Sequence, residues 1–264
     1  HPAAEALVAG GAVPGSSGGA TASFVSNDVA LGGDSASPPF LLLTGPNMGG
    51  KSTLLRQVCL AVLLAHAGGW VPATSFACTA VDAIFTRMGA RDAILSGQST
   101  FLVELAETAA ALGRATPRSL VALDELGRGT ATADGAAIAG AVLDHLAGGV
   151  RCRGLFATHY HRLADEAKAA AAEAAKAGGS GDPPTVGVYH MAADVRPDPC
   201  GGAAPTVTFL YKLARGACPA SHGTHVARLA GMPPTVVDRA AGFAARLAAG
   251  ETFDGTVGGA GAAA

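Results

Sequence analysis

Short apolar runs alternate with longer amphipathic stretches along the middle of the chain. Phe40–Thr44 (FLLLT) is the first such run, and Lys51–His66 follows with apolar residues at helical spacing. Val81–Met88 (VDAIFTRM) predicts a strand ending in a turn. Thr100–Ala115 has a helical period that sets Glu104 and Glu107 on its outer face, and Pro117 stops it. Leu120–Leu123 predicts a second buried strand, Gly135–Leu146 another helix, and Gly154–Thr158 a third buried strand. Strands of four or five residues separated by helices require crossover connections. The fold class is therefore α/β, a mostly parallel sheet flanked by helices.

Outside this block the pattern weakens. Ser23–Leu31 reads as a possible strand between Gly/Ser/Ala/Pro-rich loops at 9–22 and 32–39. Ala164–Ala204, with its alanine run, GGSGDPP and DPCGGAAP, reads as an expanded low-complexity surface loop, with a strand at Thr185–Met191. Thr206–Leu213 alternates as an edge strand does. Leu229–Ala248 predicts two helices around a turn, with Pro233–Pro234 opening the second, and the terminal GGAGAAA reads as disordered.

Composition changes the picture in three ways. The 264 residues are 49% hydrophobic, but aromatics are 5% and much of the remainder is alanine. A net charge of −2 gives no global basic footprint, which argues against this piece gripping a DNA backbone directly, though not against nucleic acid as a partner of a larger assembly. The five cysteines (Cys59, Cys78, Cys152, Cys200, Cys218) are scattered without a C-x-x-C pair, as in a reducing compartment. No signal peptide or membrane-length apolar run is present. Neither His1 nor the Ala-Gly end resembles a natural terminus, so the chain reads as a fragment of a longer protein.

The chemistry begins at Gly45-Pro46-Asn47-Met48-Gly49-Gly50-Lys51-Ser52, which satisfies G-x-x-x-x-G-K-[ST] between a strand and a helix. Glycines let backbone N–H groups converge on phosphate oxygens at a helix N-terminus. Lys51 would reach the outer phosphates, and the Ser52 hydroxyl would ligate Mg²⁺, a hard ion that prefers oxygen. The strand Leu120–Leu123 ends in Asp124-Glu125, at the sheet edge where open α/β folds bind ligands. Asp124 would hold Mg²⁺ through water, and Glu125 would orient or deprotonate an attacking water. A GTPase would carry N-K-x-D, which is absent, and a small-molecule kinase would usually lack the adjacent acid. His159, after the third buried strand in LFATHYH, can donate to a γ-phosphate; His161 has weaker claims. Ser99 and Thr100 can cap the helix near Phe101, and Ser99 would serve a nucleotide on a second subunit.

Four segments in this order, TGPNMGGKST, SGQSTFLVELAETA, LVALDELGRGTATADG and LFATHYH, resemble the C-terminal ATPase domain of MutS mismatch-repair proteins. The resemblance covers nearly the whole chain, from His1-Pro2 to about Leu247, except 164–204. FTRMGARDAILSGQSTFLVEL and LYKLARGACPASHG most resemble the branch of the sixth eukaryotic homologue. It implies a P-loop NTPase of ABC-ATPase type over 1–228, a helical dimerisation segment at 229–249 with Leu229, Met232, Val236 and Val237 facing the partner, and a tail at 250–264. The implied ligands are ATP and Mg²⁺. Gly45, Pro46, Asn47, Met48, Gly49, Gly50, Lys51, Ser52 and Thr53 would contact the nucleotide, Ser52 and Asp124 the metal. Glu125 would be the catalytic acid, His159 the switch histidine, and Ser99 the residue offered in trans. Phe24 and Tyr211 would flank the adenine. The implied partners are a second MutS homologue (the second eukaryotic one for this branch), mismatched duplex DNA through domains outside this fragment, and MutL-type proteins downstream. A nuclear location and no membrane association follow from the same resemblance. His222 departs from the aromatic common in the family's Ser-x-Gly. Two other readings stay open: a transporter-type ABC motor, encouraged by LSGQ at Leu95–Gln98, and a scaffold that binds ATP without hydrolysing it.

Overall fold

A computed structural model of the chain describes residues 24–33, 37–89, 100–176, 184–196, 206–218 and 223–249. Ser99, His222, Cys200 and the tail 250–264 lie outside them.

The strands are β1 (Phe40–Thr44), β2 (Ile84–Arg87), β3 (Leu120–Asp124), β4 (Arg153–Ala157), β5 (Val186–Arg196) and β6 (Thr206–Arg215). They form one sheet in the order β2-β3-β4-β1-β5-β6, so β6 is the edge strand its alternation predicts. The pairs β2·β3, β3·β4, β4·β1 and β1·β5 are parallel. Helix α1 (Lys51–His66) follows β1, α2 (Thr100–Arg114) precedes β3, and α3 (Thr132–Asp144) runs into a π-helical turn at His145–Val150 before β4. Helix α4 covers His161–Lys176.

Burial follows the two-residue period of the strands. Phe40, Leu42, Val121, Leu123 and Phe156 pack on one face with Ala139, Val142, Leu143 and Leu163. Leu41, Leu43, Ala122 and Leu155 pack on the other with Leu54, Leu55, Cys59 and Val62 of α1. The central strands are thus buried on both faces, which is why they read as continuous apolar runs. Gly154 sits opposite Phe40, where a Cβ would lie 2.3 Å from the ring.

Several expectations are corrected. Residues 24–31 belong to no strand, and Ser23, the first residue of the expected one, lies outside the described residues. Instead the Asn27 side chain stands in for a strand partner: its Nδ2 donates to Tyr211 O at 2.8 Å and its Oδ1 accepts from Leu213 N at 2.7 Å. The stretch read as a surface loop, 164–204, is regular over much of its described part, because α4 continues through the alanines to Lys176 and β5 covers Val186–Arg196. Alanine's helix propensity outweighs the low complexity there. Glu104 is not on the outer face of α2; it is buried.

The chain divides into two compact units, 1–193 with 209–220 and 194–208 with 221–264. In the second, α5 (Gly223–Leu229) and α6 (Pro234–Ala248) are joined by a turn in which Met232 N donates to Ala227 O at 3.1 Å. Arg228 Nη2 meets Asp238 Oδ1 at 3.1 Å. Leu229, Met232 and Val236 are exposed, whereas Val237, expected on the same outward side, is buried.

Candidate functional site

Everything in the candidate site belongs to the first unit. At the C-terminal end of β1 the chain turns at Gly45, with φ of 119°, passes a 3₁₀ turn at Asn47–Gly49 and enters α1 through Gly50, with φ of 96°. Glycine is required at both positions because that left-handed region is costly for a residue with a Cβ. Met191 of β5 fills the space beneath the loop, and a Cβ on Gly49 would lie 3.1 Å from the Met191 Cβ. Pro46 is buried, Met48 and Thr53 are exposed, and Ser52 is half-buried on the first turn of α1. Lys51 is 2% exposed, and its Nζ donates to Gly45 O at 2.5 Å.

The acids arrive from β3. Glu125 leaves the strand in the left-handed region, with φ of 54°, while its N–H donates to Ala157 O at 2.8 Å and continues the ladder. A non-glycine residue held there is strained, and such strain persists only where the surroundings over-determine it. The turn that follows contains Gly127, whose Cβ would lie 2.5 Å from Gly135 O. Asp124 pairs in register with Ala157, so His159, two residues on, belongs to the same rim. The His159 and Tyr160 rings are 4.1 Å apart at centroids.

Charge ties these groups together. Burial pulls the Lys51 ammonium below its ordinary pKa, and the negative charges of Glu125 and then Asp124 oppose that pull. Burial pushes the Asp124 carboxyl up, opposed by a hydrogen bond from Ser52 and by Lys51, while Glu125 adds to the rise. Loss of hydration also lowers His159, whose residue remains exposed, against the pull of Glu125. Lys51, Ser52, Asp124, Glu125 and His159 therefore converge at one rim of the sheet. Asp124 Oδ1 is buried with no hydrogen-bond partner. A buried carboxylate oxygen left bare beside a hydroxyl is the donor set a hard cation such as Mg²⁺ takes. No cluster of three or more His, Cys, Asp or Glu residues that could hold a metal by itself occurs among the described residues.

A cleft of about 390 Å³ opens beside these groups, lined by Ser52, Thr100, Glu104, Asp124, Glu125 and Arg128 among others. Thr100, next to Ser99, is the first residue of α2 and so reaches the same cleft as Ser52. Tyr211 lies at the other side of the loop: it is exposed, has φ of 53°, and its Cδ1 would be 3.4 Å from a Cβ on Gly50. Phe24 is likewise exposed, on the segment that Asn27 pins to Tyr211. Both rings are free of the core.

Two buried residues beside the site, Glu104 and Arg87, are not among the site residues expected from sequence, where Glu104 reads as outward-facing. Glu104 Oε1 accepts from Gly127 N at 2.6 Å, and Oε2 lies 3.4 Å from Arg87 Nη2. One signal was available: Glu104, Thr108 and Ala111 fall on one helical stripe, and that stripe is the buried one.

The sequence profile of MutS domain V matches residues 41–248. The chain is 55% identical over 218 residues to the DNA mismatch repair protein MSH6 of Arabidopsis thaliana, covering 83% of this chain and 15% of that protein. It is 46% identical over 221 residues to Msh6 of Homo sapiens, covering 82% and 15% respectively. Identity to the DNA mismatch repair protein MutS of Chloroflexus aurantiacus is 49% over 226 residues, covering 85% of this chain and 21% of that one. The chain thus spans from 15% to 21% of the length of these relatives. With the match running from β1 to the end of α6, the chain belongs to the MutS family, and the sheet and phosphate loop described above are those of its domain V.

Proposed function

We propose that this domain binds and hydrolyses ATP with Mg²⁺ and thereby drives conformational switching of a mismatch-sensing assembly. The observation that carries the reading is the convergence of the buried Lys51 ammonium with Asp124 and the strained Glu125 at the ends of β1 and β3. Backbone N–H groups of Gly45–Ser52 and the Lys51 ammonium would bind the phosphates, which makes the loop a preorganised anion site. Ser52 and Asp124 would hold Mg²⁺, which when bound neutralises phosphate charge. Glu125 would orient the attacking water and accept its proton, and His159 would donate to the terminal phosphate. Phe24 and Tyr211 would stack on the adenine.

The assembly proposed is a heterodimer with another MutS homologue, whose own Ser99 equivalent would complete this site while Ser99 completes the partner's. Mismatched duplex DNA would be read by domains elsewhere in the full-length protein, with MutL-type proteins downstream, in the nucleus. The branch of the sixth eukaryotic homologue is favoured by the 55% identity to the Arabidopsis MSH6. ATP changes the DNA-bound state only if it binds the two conformations unequally, so closure around nucleotide must be the energetic lever.

Glu125→Gln tests the reading. In the full-length heterodimer, ATP turnover should fall at least about 100-fold while nucleotide affinity is kept. An unchanged rate would remove Glu125 from the chemistry, and with it the hydrolytic reading.

A further inference from the structure

One buried carboxylate joins two parts of the site that are far apart in sequence. Glu104 stands on the first turns of α2 and is 7% exposed. Its Oε1 accepts from the Gly127 amide at 2.6 Å, two residues past Glu125, and its Oε2 lies 3.4 Å from Arg87 at the end of β2. The bond is short and buried, so water does not compete for either partner. Gly127 offers no side chain to hold: its φ is 89°, and a Cβ would collide with Gly135. Its backbone is therefore the one handle, and it is gripped twice, since Gly127 O also accepts from the Tyr160 hydroxyl at 2.8 Å. The Tyr160 ring in turn lies against His159, tilted by 41°.

Glu125 has to be kept in its left-handed conformation by its surroundings. On the strand side its own N–H does this through Ala157 O. On the other side the turn is held at Gly127, by Glu104 at its N–H and by Tyr160 at its carbonyl.

We propose that Glu104 is a positioning residue: from α2 it fixes the turn that aims the Glu125 carboxylate, and so couples the start of α2 to the reacting centre. The role rests on the hydrolytic reading above and adds a residue to it. Because Thr100 lines the same cleft, displacement of the first turn of α2 reaches Glu125 through a single side chain. Arg87 Nη2, 3.4 Å from Oε2, holds the other end of the carboxylate and so leaves Oε1 to Gly127.

The test compares Glu104→Ala and Glu104→Gln in the full-length protein with its partner subunit. Steady-state ATP turnover, ATP affinity and hydrogen exchange of the 124–129 backbone are measured. Glu104→Ala should lower kcat by about 10- to 100-fold with KM and affinity within about twofold, the signature of a misaimed group. The Gly127 amide should exchange at least about tenfold faster. Glu104→Gln keeps a carbonyl oxygen for the Gly127 N–H, so both protection and turnover should stay within about threefold of the parent. Parental turnover and protection in Glu104→Ala would overturn the proposal, as would a Glu104→Gln variant that keeps protection yet loses turnover as fully as alanine. If the alanine variant does not fold, the glutamine variant decides by the same two readouts. A parent that hydrolyses no ATP would sink the hydrolytic reading instead, and the exchange measurement would still judge Glu104.

Discussion

Arg128 Nη1 donates to Glu125 Oε2 at 2.5 Å, three residues along the turn that leaves β3. The arginine side chain is 63% exposed and that of the glutamate 18%, so solvent screens the pair mainly at the arginine. Half-exposed pairs of this kind contribute about 1 kcal/mol or less to stability. The contact matters more as a second constraint on where the carboxylate points. Arg128→Ala should therefore leave the melting temperature within a few degrees of the parent while ATP turnover falls and nucleotide affinity holds. Calorimetry paired with a steady-state assay separates the two effects, and a large loss of stability would make Arg128 a structural residue instead.

Lys51 is buried, and burial already disfavours its charge. Methionine is one heavy atom shorter and carries no charge. Lys51→Met forfeits a charged donor's bond to Gly45 O, about 1.5–3 kcal/mol, but also removes a poorly hydrated ammonium that offsets most of it. Stability should change by no more than about 1 kcal/mol, while ATP affinity drops at least about tenfold with the loss of a charged phosphate contact. Fluorescent-nucleotide titration alongside a denaturant melt checks both. Normal ATP titration in this variant would contradict the site.

Asp124 supplies a pH prediction. Its folded carboxyl titrates above the ordinary value of 3.8 chiefly because it is buried. Below 3.8 the group is protonated in both folded and unfolded chains and folding bears no ionisation cost. As pH rises through the folded value the unfolded chain has already ionised, and the folded state is progressively destabilised. Asp124→Asn escapes that penalty. It should unfold at a higher temperature than the parent near pH 7, with the advantage fading as pH falls toward the ordinary carboxylate range. The same variant should lose the Mg²⁺-dependent gain in nucleotide affinity. Equal melting curves at pH 7 would mean that solvent reaches Asp124 freely.

Much of the scaffold was legible because its signals are local. FLLLT, LVAL and GLFA are apolar on both faces, and such runs are central parallel strands once helices separate them. The boundaries of β1 and α1 agree residue for residue with the reading from pattern and glycine placement. The phosphate loop was legible for the same reason, since its glycines, lysine and serine sit within eight consecutive positions. Glu104 was misread because an acid on a helix is ordinarily solvated, and only the packing of α2 against the turn at Gly127 buries it. The segment 24–31 reads as a strand because its composition suits one, but a strand exists only once a partner supplies the ladder. Here a side chain, Asn27, replaces the ladder.

By itself, then, the sequence determined the α/β alternation, the glycine-rich loop after β1 and the pair of acids after β3, since each depends on residues adjacent in the chain. The tertiary structure alone decided that Asp124 and Glu125 lie across from Lys51, that Glu125 is strained, and that Glu104 grips Gly127. Those relationships join residues separated by tens of positions, and they exist only once the register β3·β4·β1 brings three strand ends to one rim. Sequence pattern specifies which face of each strand is buried; the hydrogen-bonded register specifies which strand ends meet.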